Sequence, residues 1–315
     1  MKKAFLVVNP IAGGSPARIQ SRLENHFNRA GWMYQVHRLS ERESIRRVVR
    51  GALVENGESF DLVLAAGGDG TVSGVAAGVV GSEIPLAIVP IGTGNVLARE
   101  LEIPMDFQRA LQLATGSQDR RRIDGLQVDE RIFVLNVSVG LSAVVMKNTH
   151  HAEKRRLGRA AYLWTGLKKL LGFQPHHFAV LIDGVESGWK ASEVIIANSG
   201  AIGDPSLRLH SQVALDDGRI DVSILRARSL MDYLRAGWAV LRGKQRQEPD
   251  LQHLVAQGSV EVFTEADLPV QGDGDFIGFP PVRVEVLPGV VHVIVPEKED
   301  EEDFDLGDVI NLGDG

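Results

Sequence analysis

Apolar and polar positions alternate in two different rhythms along the 315-residue chain. In the first third, short apolar runs take turns with helical spacings. "AFLVV" (4–8) is unbroken, as in a strand buried on both faces. "SPARIQSRLENHFNRAG" reads as a helix, with Ser15 placed to cap, Pro16 in the first turn, and Ile19, Leu23 and Phe27 on one face. A strand at 33–39 precedes a helix that turns Ile45, Val48, Val49, Ala52 and Leu53 inward. "DLVLAA" and "PLAIVP" read as strands, "TVSGVAAGVVG" as a small-residue helix, and "NVLAREL" and "DFQRALQLATG" as further helices. Strands alternating with helices predict a parallel sheet covered on both faces.

After about residue 121 the rhythm becomes strand and turn. "RRIDGLQVDERIFVLNVSVG" reads as a hairpin turning at Asp129-Glu130, and "HFAVLIDGVESGWKASEVIIANS" as another. Later segments to "PVRVEVLPGVVHVIVP" continue the pattern, interrupted by helices near 152–171 and 229–243. The fold class expected is an α/β nucleotide-binding domain (1–121), then a β-rich, antiparallel, sandwich-like domain (122–296). Its final strand is free to return to the first domain. Residues 297–315 form an acidic tail, expected to be disordered.

Charge adds little. The net charge is −7, but the tail holds nine acids and one lysine, which leaves the rest of the chain at +1. That near-neutral body gives nucleic-acid binding no support. With no cysteine there is no disulfide framework, thiolate nucleophile or Cys-bound metal. The apolar run of "MKKAFLVVNP" is too short for a signal peptide, and no stretch approaches a membrane span, so a cytoplasmic protein is expected.

The candidate chemistry lies in three glycine-bearing junctions where strands end: "NPIAGG" (9–14), "AAGGDGTVSG" (65–74) and "VPIGTGNVLARE" (89–100). The carboxyl edge of a parallel sheet is where ligands bind. Gly67, Gly68 and Gly70 let main chain approach a phosphate, and the following helix N-terminus adds its dipole. Gly92, Thr93, Gly94 and Asn95 offer further donors. Asp69 is out of place beside a bare phosphate and makes sense with a divalent cation between them, which points to a nucleotide with Mg²⁺.

"NPIAGG", "GGDGTV" and "PIGTGNVLARELEIP", in this order and spacing, resemble the diacylglycerol kinase catalytic family, which includes sphingosine kinases and bacterial YegS-like lipid kinases. "RRIDGLQVDERIFVLNVSVGLSA", "ALDDGRIDV" and "VQGDGDFIGFPPVRVEV" agree, so the resemblance spans about residues 3–296. It implies an ATP- and Mg²⁺-dependent kinase that phosphorylates a hydroxyl of diacylglycerol, a sphingoid base or a related lipid, at a peripheral membrane surface on the inner face. It places ATP on Gly67 to Thr71, with Thr93 also at the nucleotide and Ser40 where the family has a threonine touching ATP. It implies Asp273 as the catalytic base and Asp124 as the partner of Asp69 in a Mg²⁺–water network. A structural cation site would use Asp217 with main-chain carbonyls of Ala214 and Arg219.

Asp273 stands between Gly272 and Gly274 and can come close to a substrate hydroxyl. The chain departs from the family at Ser73 and Gly74 (commonly Asn and Glu), at Val96 (commonly Asp) and at Asp275 (commonly Glu). A NAD-kinase-like small-molecule kinase is the alternative enzyme, disfavoured by "PIGTGN" and the long β-rich half. A non-catalytic nucleotide- or lipid-binding regulator is disfavoured by the retention of Asp69 and Asp273. The pairs His150-His151 and His176-His177 lack ligand spacing for zinc. Segments 154–173 and 229–244 carry apolar stripes with basic residues, which suit either packing on the β domain or a bilayer interface.

Overall fold

The computed structural model describes residues 1–10, 15–40, 43–55, 59–117, 119–147, 174–202, 204–208, 213–244 and 247–297. The helix expected near 152–171 and the acidic tail lie outside them.

The first half runs β1 (Lys3–Val8), α1 (Pro16–Arg29), β2 (Met33–Arg38), α2 (Ile45–Glu55), β3 (Leu62–Gly67), α3 (Asp69–Val79), β4 (Leu86–Pro90), α4 (Val96–Glu100) and α5 (Phe107–Gly116). The four strands are parallel, in the order β2-β1-β3-β4. The unbroken apolar run of β1 is divided between two cores. Ala4, Leu6 and Val8 pack with Leu23 and Phe27 of α1 and Leu111 of α5, while Phe5 and Val7 pack with Val49 of α2 and Val75 of α3. Period-two alternation within one hydrophobic run is what burial on both faces requires. The small residues of α3 bring it against α2. A Cβ on Gly74 would stand 2.8 Å from Ile45 Cβ, and one on Gly78 2.5 Å from Val49 Cβ. Ser15 precedes α1 in extended conformation but its side chain makes no cap, contrary to the expectation; Asp106 does cap α5.

The second half runs β5 (Arg120–Val128), β6 (Arg131–Phe133), β7 (Asn136–Gly140), α6 (Leu141–Lys147), β8 (His176–Ile182), β9 (Val185–Ala191), β10 (Glu193–Ala197), β11 (Ala201–Ile202), β12 (Asp204–Arg208) and β13 (Ile220–Leu225). It ends with α7 (Leu230–Leu241), β14 (Leu251–Ala256), β15 (Ser259–Phe263), β16 (Val270–Gly272), β17 (Asp275–Gly278) and β18 (Val282–Ile294). A six-stranded sheet, β14-β13-β10-β7-β16-β17, is antiparallel throughout. It packs on an extension of the first sheet, with Val137, Val194 and Ile224 facing Val180, Val260 and Val284.

The last apolar segment is one long strand rather than a strand–turn unit. β18 pairs with β15 and β5 in antiparallel fashion, shifts register between Leu287 and Val291, and meets β4 in parallel at Val293–Leu86. Pro288-Gly289 sits in the shift, with Gly289 at φ 59°. The large sheet is therefore continuous across both halves, in the order β2-β1-β3-β4-β18-β15-β8-β9, which fixes the carboxyl edge of the parallel strands relative to the sandwich.

Candidate active site

The two described glycine loops are clasped to each other. Gly67 ends β3, and Gly68 precedes α3 in extended conformation (φ −97°). Ile91 donates from its N–H to the Gly67 carbonyl at 3.0 Å. The loops touch so closely that a Cβ on Gly92 would lie 2.4 Å from the Gly68 Cα. The Asp69 carboxylate accepts the N–H groups of Asn95 (2.9 Å) and Val96 (2.6 Å). Asn95 stands in the left-handed region (φ 52°) and closes the turn by exchanging hydrogen bonds with Gly92. Asp69 therefore has a task the sequence did not reveal: it ties the second loop to the first.

Gly70 and Thr93 are exposed at this edge, and Gly70 has open space where a side chain would go. Thr71 is turned inward, only 3% exposed, and its hydroxyl accepts from Asn9 Nδ2 at 2.9 Å. Asn9 belongs to the first junction, whose residues 11–14 lie outside the described set. Ser40 is exposed, and its main chain and hydroxyl both donate to Glu43, which pairs with His37.

Asp273 joins the two halves. It adopts a left-handed φ of 46° in the tight β16–β17 turn. Its carboxylate accepts three consecutive main-chain N–H groups, from Val134 (2.9 Å), Leu135 (3.0 Å) and Asn136 (2.9 Å), and the hydroxyl of Ser73 on α3. Burial pushes its carboxyl above the ordinary aspartate range, against the lowering effect of the four donors. A carboxylate has about four lone-pair positions, so this one is filled.

Two cavities meet here. One, of about 1090 Å³, is bounded by α2, α3, the β5–β6 hairpin and the Asp273 turn, and is lined by Arg46, Arg47, Arg50 and Arg131 together with carboxylates such as Glu43 and Asp275. The other, of about 580 Å³, lies between the six-stranded sheet and the inner face of α7. Its walls are mostly apolar, for example Ile195, Val240 and Leu251, with Asp69 and Val96 at the loop end. Asp273 is the residue that lines both.

Residues 3–128 match the diacylglycerol kinase catalytic domain, and residues 135–295, half of the chain, match the YegS C-terminal NAD kinase beta sandwich-like domain. The chain belongs to the diacylglycerol kinase family of lipid kinases. A Pectobacterium atrosepticum protein named "Probable lipid kinase YegS-like" is 30% identical over 75% of this chain and 78% of its own length. A Bacillus subtilis "Diacylglycerol kinase" is 25% identical over 96% of this chain and 99% of its own. The crystal structure of a Bacillus anthracis diacylglycerol kinase superposes with a TM-score of 0.70 at 21% identity, covering 94% and 97% of the two chains, a likeness of fold.

Against this family background, the departures acquire local reasons. Ser73 is the side chain that reaches Asp273, Gly74 is the close contact of α3 with α2, and Val96 is a buried wall of the apolar cavity. Asp69 and Asp124, expected to share a Mg²⁺–water network, are each held by two main-chain N–H groups in this diacylglycerol kinase fold. Asp124, 2% exposed on β5, accepts the N–H groups of Gly218 and Gly289, both at 2.7 Å, and neighbours Asp216 and Asp217. Burial raises its carboxyl despite the two glycine donors. Asp217 is exposed and accepts from the Arg219 N–H at 3.0 Å in a turn that follows Ala214. Among the described residues, no three or more His, Asp or Glu side chains converge as a metal cluster.

Sequence reasoning missed the four arginines of the larger cavity, because three of them read as the solvent face of α2. It also missed Glu193, a lone acid that begins the apolar strand "EVIIA" and ends up 5% exposed in the smaller cavity.

Proposed function

We propose that the protein transfers the γ-phosphoryl group of ATP to a hydroxyl of a diacylglycerol, sphingoid base or related lipid, with the nucleotide in the arginine-bearing cavity and the lipid in the apolar one. The observation that carries this reading is that Asp273 lines both. Phosphoryl transfer needs positioning, neutralisation of phosphate charge, and a group to receive the alcohol proton. The main chain of Gly70 in the cavity wall, with Gly68, Thr93 and Gly94 of the adjoining clasped loops and the N-terminus of α3, supplies donors for the phosphates. Arg46, Arg47, Arg50 and Arg131 supply positive charge. The mixture of arginines and carboxylates suits a nucleotide that arrives with Mg²⁺ on its phosphates. Asp69 and Asp124 spend both oxygens on main-chain N–H groups; a Mg²⁺ carried by the ATP phosphates would be held near these acids and would supply charge neutralisation. Ala214, Asp217 and Arg219 are proposed only as a structural cation turn.

Asp273 takes the proton. Three of its four donors are main chain and fixed; the fourth, Ser73, is a rotatable hydroxyl. The lipid hydroxyl takes the place of Ser73 on the carboxylate, and the burial that raises the affinity of Asp273 for a proton favours its role as acceptor.

Access from a bilayer fits the outer face of α7. Met231, Leu234, Trp238 and Leu241 recur at helical spacing and are 56–68% exposed, on the helix whose inner face walls the lipid cavity. No described helix is long and apolar enough to cross a membrane. The reading is tested by incubating the protein with radiolabelled ATP and Mg²⁺, in parallel with extracted lipids and with NAD. Label in a lipid phosphate is expected; label in NAD alone would replace this reading with the small-molecule kinase.

A further inference from the structure

The floor of the apolar cavity carries a polar track that the transfer reaction does not use. Three neighbouring strands of the six-stranded sheet contribute to it: β16 gives Gln271, β7 gives Ser138 and β10 gives Glu193, with Ser142 from α6 bridging. The track starts at the catalytic turn, where Gly274 donates its N–H to Gln271 Oε1 at 2.7 Å. Gln271 Nε2 then donates to Ser138 Oγ at 2.8 Å. Ser138 and Ser142 share a hydrogen bond of 2.7 Å, and Ser142 donates to Glu193 Oε1.

With Glu193 ionised, this track runs one way. Ser142 has a single hydroxyl proton; when the carboxylate of Glu193 receives it, Ser138 is the donor in the Ser138–Ser142 pair. Every donor in the series points toward Glu193. The far end of the track therefore presents an acceptor. The charged residues lining the cavity are Asp69, Asp273 and Glu193, with no Lys, Arg or His among the described lining residues. Asp69 and Asp273 are held by the main-chain donors above; Glu193 is held by the hydroxyl and main chain of Ser142, with Ser138 beside it, and no cation faces it among the described lining residues. A carboxylate in an apolar cavity is costly unless paired.

We propose that Glu193 is the specificity-determining residue of this cavity, and that it receives an ammonium group carried by the lipid beside its reacting hydroxyl. The ligand class is then a long-chain amino alcohol, with its hydroxyl toward Asp273, its ammonium on Glu193 and its chain against Val240 and Leu251. This deepens the lipid-kinase reading, which it uses only to locate the reacting hydroxyl. An acyl glycerol, which has no cation, would leave the carboxylate of Glu193 unpaired.

The test is a binding measurement, so that it does not depend on phosphoryl transfer. Octylammonium and 1-octanol are titrated into the full chain by calorimetry, below their aggregation limits, and into E193Q. The wild type should bind octylammonium about tenfold or more tighter than octanol, as a charge-assisted hydrogen bond in a dry site provides. E193Q should lose that preference while keeping its affinity for octanol. E193D keeps the charge and should keep the preference, which covers the case of E193Q failing to fold. Equal binding of the two probes by the wild type, binding of neither, or a preference that survives in E193Q overturns the proposal. Failure of the kinase reading looks different: no lipid of any class would be labelled, while the ammonium preference stood.

Discussion

The two cavities that meet at Asp273 are built by opposite means. The larger is walled by two helices of the parallel half and a hairpin, and its chemistry is carried by arginines, carboxylates and exposed main chain. The smaller is walled by one antiparallel sheet and one helix, and its chemistry is confined to a short polar track on an apolar floor. Charge can be handled by flexible side chains and loose main chain because water helps. An apolar chain must be excluded from water, so its few polar partners have to be fixed in advance. Asp273 belongs to both and is accordingly the most tightly held of the site carboxylates, with three main-chain donors from one side and a helix hydroxyl from the other.

The largest effect is expected where the cavities join. Asp273→Asn cannot accept the alcohol proton, and kcat should fall by about 10²–10⁴ while ATP affinity changes little. The structure adds a cost in stability. The amide NH₂ must face at least one of the main-chain N–H groups that the carboxylate satisfies, which costs about 1–3 kcal/mol. Thermal melts alongside kinetics separate the two. Ser73→Ala frees one position on Asp273 and should leave kcat within about tenfold of wild type if the substrate hydroxyl takes that place. A loss as large as that of Asp273→Asn would assign Ser73 itself to the chemistry.

The next test addresses the nucleotide side alone. Gly92→Ala puts a Cβ 2.4 Å from Gly68 Cα, where main chain must move, whereas Gly70→Ala points into open space. Overpacking of this kind costs about 1–3 kcal/mol. Gly92→Ala should weaken MgATP binding by tenfold or more, on the order of 1.4 kcal/mol, and leave amphiphile binding in the other cavity intact; Gly70→Ala should be far milder on stability. Parallel calorimetry with both ligands checks this. Equal losses in both cavities would mean that the loops and the sandwich move as one unit.

On the lipid side, pH is the probe. Burial raises the Glu193 carboxyl from 4.5 to about 7, against hydrogen bonds from Ser142 and Ser138. Tyr233 of α7 faces it and is itself pushed up to about 12, so it stays neutral in this range. The folded state then holds a proton that the unfolded chain releases near 4.5. The stability linked to Glu193 is complete below about 4.5 and is lost as pH rises through about 7. The difference in unfolding free energy between wild type and Glu193→Gln should shift against the wild type across that window, by at most on the order of 3 kcal/mol. Denaturant melts at pH 4.5 and pH 8 measure it. A flat difference would place the carboxyl in contact with water.

Much of this architecture was legible in the chain. The run "AFLVV" announced a strand with two buried faces, and Phe5 and Val7 do face a different core from Leu6 and Val8. The glycines at 67–70 and 92–94 marked the sheet edge because tight junctions there need main chain without Cβ. What could not be read were contacts between residues far apart. Ser73 and Asp273 are 200 positions apart, and nothing local ties a helix serine to a turn aspartate. The clasp of Asp69 on Asn95 and Val96 was hidden behind a ligand-binding reading of the same carboxylate. Glu193 looked like the polar start of a strand, because burial of its strand on a cavity is a property of the sandwich and not of the segment.

The smallest effect concerns access to the smaller cavity. α7 has two faces: Tyr233, Ala236, Gly237 and Val240 toward the cavity, and Met231, Leu234, Trp238 and Leu241 outward. Arg242 lies over the Trp238 ring at 4.6 Å, an arrangement that suits the headgroup level of a bilayer, where an aromatic ring and a cation share an interface. Replacing an exposed side chain takes nothing from the core, so Leu234→Ala with Trp238→Ala should leave the melting temperature nearly unchanged. Each lost side chain removes about 1.5–3 kcal/mol of potential burial in the interface, of which a partly inserted helix realises a fraction. Sedimentation with phosphatidylglycerol-containing vesicles should show the double variant bound several-fold more weakly, while its turnover of a short-chain, water-soluble substrate stays at the wild-type level. Unchanged vesicle binding would move the membrane contact away from α7, and loss of soluble-substrate turnover would show that the outer face supports the cavity wall rather than its access.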